Sequence, residues 1–64
     1  MSTMNAFVST AEELQSARLA SALAPAGPKK DAALIHLRAA ESAEAAHREA
    51  DCLKSLSAAM AALD

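Results

Sequence analysis

The residues able to do chemistry gather late in this chain: Glu41, Glu44, His47, Asp51 and Cys52. Glu44-Ala45-Ala46-His47 is a Glu-x-x-His step. On a helix it turns a carboxylate and an imidazole toward one ion, as in di-iron carboxylate bundles. Glu41 precedes it by about one turn, Asp51 follows it, and Glu12 or Glu13 from earlier in the chain would be a further ligand. Helical geometry weighs against that use. At about 100° per residue, Glu44, His47 and Asp51 fall opposite the apolar side of the segment, where a bundle interior should not be. A solvated polar face is the expectation and no metal or other cofactor is called for. A metal-binding bundle using Glu41, Glu44 and His47 stands as the alternative.

Other reactive groups are isolated. His36 sits in Ile35-His36-Leu37-Arg38-Ala39 on the same polar side, without the surroundings of a phosphorelay histidine; with His47 it would add only pH sensitivity near neutrality. Cys52 lies on the apolar stripe beside Leu53 and reads as a small buried hydrophobe. A reactive thiol needs a cationic, exposed setting, and Lys54 points elsewhere on the helix. No Cys/His/Asp or Ser/His/Asp set shares a face, and a single glycine leaves no phosphate-cradling loop. The expected function class is therefore non-enzymatic.

The element carrying these residues runs from Pro28 to Leu63, with no further glycine or proline and abundant alanine. Its large apolar residues return at helical spacing: Leu34, Ile35, Cys52, Leu53, Leu56, Met60 and Leu63. All fall within one stripe about 120° wide. The centre of the stripe holds Ser42, Ala45 and Ala46, flanked by Arg38 and Glu49. The spacing predicts one long helix over about 28–63, and Glu44 and Arg48 would form an i, i+4 pair along it. A break near His47-Glu49, giving a three-helix bundle, is the alternative. A shorter helix over about 3–24 precedes it, because Met4, Phe7, Ala11 and Leu14 recur at 3-4-3 spacing. Thr10-Ala11-Glu12-Glu13 also fits a capping box and a later start. Pro25 ends this helix, residues 24–28 form the connection, and Pro28 suits a first helical position. The chain thus reads as one all-α domain, a helical hairpin with a shorter helix 1 and a long helix 2. Lys29 and Lys30, beside the tight turn, read as a solvated edge.

Length and composition then bound the assembly. Nineteen of the 34 hydrophobic residues are alanine, which leaves fifteen larger apolar side chains among 64 residues. Burying a leucine contributes about 1.5–3 kcal/mol, while ordering each residue costs about 1.5 kcal/mol. A monomeric core of this kind is marginal, and one cysteine excludes an internal disulfide. Helix 2 also outreaches helix 1, which would leave Leu56, Met60 and Leu63 bare.

A second copy is the simplest cover, in an antiparallel four-helix bundle. One register sets Arg38 opposite Glu49, Leu34 opposite Leu53, Ile35 opposite Cys52 and Ser42 opposite Ala45. The expected interface is therefore Leu34, Ile35, Arg38, Ser42, Ala45, Ala46, Glu49, Leu53, Leu56, Met60 and Leu63. In size and shape alone this architecture is similar to the ROP-type hairpins, without their basic RNA-facing surface. Six basic and eight acidic residues, interspersed, give a formal net charge of −2. That balance argues against nucleic acid and against an anionic membrane surface. The first eleven residues have neither a basic leader nor a long apolar run, so a cytoplasmic setting is expected, in keeping with a lone cysteine. The reading is a small interaction protein (adaptor, regulator or accessory subunit) that forms a homodimer or binds an unidentified protein partner.

Overall fold

The structure, a computed structural model, describes residues 10–64. The proposed helical start near residue 3, with Met4 and Phe7, lies outside the described residues. Within them every regular element is a helix: α1 (Thr10–Leu23), α2 (Pro28–Ala45) and α3 (Glu49–Leu63).

The turn after α1 follows from its residues. Gly27 holds φ at +152°, a conformation that side-chain-bearing residues rarely adopt. A Cβ there would meet no atom within 4 Å, so the requirement for glycine is one of backbone shape. Pro28 then supplies the helical φ of the first α2 residue, and the Asp31 N–H donates to the Gly27 carbonyl at 3.0 Å.

Three side-chain contacts fix the helix directions. The Thr10 hydroxyl donates to the Glu49 carboxylate at 2.7 Å, so α1 and α3 start at the same end. Lys29 Nζ donates to the Asp64 backbone oxygen at 2.7 Å, which brings the end of α3 back to the start of α2. Arg18 Nε donates to Glu41 Oε2 at 2.7 Å and ties α1 to α2. α2 therefore runs antiparallel to both neighbours, and its contact with α3 is the most extensive of the three. The Thr10 hydroxyl, expected to cap its own helix, instead joins α1 to α3.

The long second helix expected of a hairpin is two helices, α2 and α3. Pro28 to Leu63 is not one rod; it reverses at Ala46-His47-Arg48. The Arg48 N–H reaches back to the Ala43 carbonyl at 2.8 Å and the His47 N–H to that of Glu44 at 3.0 Å, while His47 takes φ +60°. This is a Schellman closure with histidine in the left-handed position that glycine usually fills. The antiparallel two-helix hairpin and its likeness to ROP-type proteins give way to three helices, with the break in the region named as the alternative.

Folding back makes the core. Leu14 and Ala17 from α1, Leu37 and Ala40 from α2, and Cys52 and Leu56 from α3 are buried together, with Leu34 and Ala43 packed against them. Toward the Gly27 end the buried positions shrink to Ser21, Ala33 and Ala59. Leu56, expected to lie bare on an overlong helix, is covered by its own chain; Leu63 is half-buried and Met60 stays exposed. The Ser21 hydroxyl is buried with no hydrogen-bond partner among the described residues.

Two stability measurements check this description. An unmet buried hydroxyl costs about 1–3 kcal/mol, so Ser21→Ala should raise the free energy of unfolding by about 1 kcal/mol. A left-handed non-glycine residue costs about 1–2 kcal/mol, and glycine's extra freedom in the unfolded chain returns about 0.5–1 kcal/mol of that. His47→Gly should therefore stabilise the dilute chain by about 0.5–1 kcal/mol, a rise of a few degrees in Tm. A lower Tm for His47→Gly would contradict the reversal at residues 46–48.

Candidate functional site

Of the residues singled out for chemistry, Glu44 and His47 end up at the elbow between α2 and α3. Thr10, Glu44, His47 and Glu49 line an open cleft of about 350 Å³ there. The Schellman closure places it: His47 leaves the helical path, so it no longer follows Glu44 by one helical turn. Glu41 is drawn aside by Arg18, and Asp51 is held by Arg48 at 2.8 Å. The step that would have turned Glu41, Glu44 and His47 toward one ion is thus dispersed. Among the described residues, no group of three or more His, Cys, Asp or Glu is placed to hold a metal.

Cys52 lies inside the core, fully buried as a free thiol. Burial pushes its pKa up, and the negative charges of Glu44, Glu49 and Glu13 push it further in the same direction. The nucleophilic thiolate is the form this setting disfavours, and the position serves packing. The acidic residues at the elbow therefore add to an effect that burial dominates.

Two further clefts flank α3. Between α1 and α3, Glu13, Ser16, Ala17, Leu56, Ser57 and Met60 line a groove. Between α2 and α3, small and polar residues including Ala39, Ser42, Ala43 and Ser55 line the other. The paired Arg48 and Asp51 also line this second cleft.

The expected interface residues no longer share one straight stripe. Leu34 is half-buried against the core, whereas Ile35, Arg38, Ser42, Ala45, Ala46, Glu49, Leu53 and Met60 are exposed on α2, the turn after it and α3. The pairing of Arg38 with a second copy's Glu49 required an unbroken rod and loses its geometric basis. Glu49 instead accepts the Thr10 hydroxyl within the chain.

An apolar feature missing from that list is the pair Leu19 and Leu23, one turn apart on α1 and opposite the buried Leu14, Ala17 and Ser21. Their i, i+4 spacing on a separate side of helix 1 was the available signal. Among the described residues, no helix is long and apolar enough to cross a membrane. Comparison with known proteins gives no match to this chain, whether among family models, curated proteins or solved structures.

The buried thiol gives a pH test. Because its pKa is raised in the folded state, the unfolded chain releases that proton more readily. The stability associated with the protonated thiol is complete below its ordinary value of 9.0 and is lost as pH climbs through and above it. Urea titrations should show stability falling there by up to about 1.4 kcal/mol per pH unit. Cys52→Ala should remove that component; an unchanged slope in the variant would place the thiol in water.

Proposed function

We propose that this chain is a small non-enzymatic interaction protein, an adaptor, regulator or accessory subunit that works through apolar side chains on its helix exteriors. One observation carries the reading: among the described residues, fewer large apolar side chains are fully buried than are exposed. Leu14, Leu37 and Leu56 are the large ones inside, accompanied by alanines, Cys52 and Ser21. Leu19, Leu23, Ile35, Leu53 and Met60 stay outside, at 62%, 75%, 66%, 38% and 45% exposure. A domain of this length buries little surface by itself, and a described core with three fully buried leucines contributes modestly to independent stability. Covering several of the outer residues against another polypeptide adds the missing burial.

Self-association is the first form of this proposal, since two-fold homodimers are the commonest assembly and require no second gene product. A foreign protein partner is the other form. The balanced surface charge supports protein rather than nucleic acid or an anionic membrane as the counterpart. A cytoplasmic setting fits the same reading, with Cys52 retained as a thiol.

Sedimentation equilibrium over a concentration series provides the test. The wild-type chain should gain mass with concentration. Leu23→Ser combined with Ile35→Ser should weaken association by about tenfold or more, since each removes an exposed side chain worth about 1.5–3 kcal/mol on full burial. Helical circular dichroism should be retained in that variant, because neither residue is in the core. A wild-type chain that stays monomeric and binds no protein from its own cell would overturn the reading.

A further inference from the structure

We infer that residues 46–48 are a hinge, and that this chain can associate with a second copy of itself by exchanging α3. In the exchanged form His47 turns to ordinary helical φ, and Pro28–Leu63 becomes one continuous helix. The α3 of each copy then packs into the place left by the other's. The inference rests on the self-associating form of the function proposed above and names a second copy as the partner, joined through core contacts and not through the outer residues.

Four observations point to it. First, nothing in the sequence between Pro28 and Leu63 forbids a straight helix: the segment has no further glycine or proline, and Ala45, Ala46 and Ala50 surround the break. Second, the break is closed by a residue poorly suited to it. His47 at φ +60° holds the left-handed position, and straightening relieves that strain. Third, α3 begins without a side-chain cap, because Arg48 stands at its N-cap with no capping bond and only the first-turn charges of Glu49 and Asp51 favour that end. In a continuous helix those first N–H groups find carbonyls one turn back, and Glu44 gains Arg48 as an i, i+4 partner. Fourth, the apolar stripe keeps one phase across the break: Leu34 and Ile35 on one side align with Cys52, Leu53, Leu56 and Met60 on the other. A sequence that reads as one amphipathic rod has preserved the option of being one.

What holds the closed form together is the set of contacts that exchange would keep. Leu37, Ala40, Cys52 and Leu56 meet across α2 and α3, and Lys29 reaches Asp64. Thr10 reaches Glu49. In a reciprocal dimer each of these contacts forms between copies instead of within one, with the two-fold axis beside Ala45 and Ala46, where small side chains let the helices approach. The Arg18–Glu41 pair lies within α1 and α2 and stays inside each chain. Short, strained hinges are where such exchange is cheapest. The choice between forms then depends on the elbow and on concentration.

The experiment uses the full chain with residue 47 varied. His47→Ala favours the straight helix and His47→Gly favours the reversal; each dimer straightens two elbows. The dimer association constant, measured by sedimentation after refolding, should rise about tenfold or more for His47→Ala and fall by a similar factor for His47→Gly. Unlabelled and heavy-nitrogen chains are unfolded together, refolded and treated with a carbodiimide, which joins the Lys29 amine to the Asp64 carboxylate. The His47→Ala dimer should yield Lys29–Asp64 links between light and heavy peptides, and the His47→Gly monomer links of one isotope only. Dimers whose links all stay within one isotope overturn the exchange while leaving ordinary surface association standing. Equal association of the two variants, or a His47→Ala chain that stays monomeric, also overturns it. If exchange occurs but the Leu23→Ser and Ile35→Ser changes leave association and partner binding untouched, the surface reading fails and the hinge remains.

Discussion

The reversal at Ala46-His47-Arg48 is the constraint on which the rest of the structure depends. Without it, Leu37, Cys52 and Leu56 would lie along one exposed flank of a rod. With it, they meet in a shared interior with Leu14. Interrupting a helix costs backbone hydrogen bonds at both new ends, yet the Schellman closure recovers two of them through the His47 and Arg48 N–H groups. The remaining strain at His47, about 1–2 kcal/mol, is smaller than the burial of Leu37 and Leu56 together, at about 1.5–3 kcal/mol each. Packing therefore wins over local helical preference, by a narrow margin.

Alanine makes that margin narrow and also makes the fold possible. Ala17, Ala33, Ala40 and Ala59 are buried, so the helices meet through small side chains. Such surfaces lose almost no side-chain entropy on packing, but each residue contributes little transfer energy. The contacts that fix the helix directions are polar and largely exposed, as with Arg18 and Glu41 at 53% and 37% side-chain exposure. Pairs of that kind are worth about 0–1 kcal/mol and set direction more than stability. The topology is thus specified by a few oriented contacts laid over a weak, permissive core.

The all-helical class, the first turn and the burial of Cys52 were legible in the sequence, because Pro25, Gly27, Pro28 and the apolar period each have a direct local meaning. The second turn was not. Its closing residue is a histidine, and the residues around it are good helix formers that keep the stripe in phase. Histidine is nonetheless enriched among non-glycine residues with positive φ, and that was the only local hint. The decisive information was non-local: folding α3 back on α2 buries Leu56 and Cys52, a gain that no window around His47 contains. The same blindness affects the elbow cleft, since the meeting of Thr10 with Glu49 depends on the reversal. Once the rod is broken, the register built on Arg38 and Glu49 has no meaning within the folded chain.

A core formed between α2 and α3 makes no distinction between an α3 from the same chain and one from another copy. What separates the two cases is the cost of the elbow against the cost of bringing two chains together. A well-built turn, with glycine at the left-handed position and a serine or aspartate at the next N-cap, would weight that choice strongly toward the single chain. This chain has histidine and arginine at those positions. The comparison therefore rests on an unusually small term, and concentration, which stabilises any associated state by mass action, acts on it directly. The outward-facing Leu19, Leu23 and Ile35 work in the same direction, because each adds value to any arrangement that covers them. Weak closure within the chain and apolar side chains left outside it are thus two consequences of one composition, and the association proposed above draws on both.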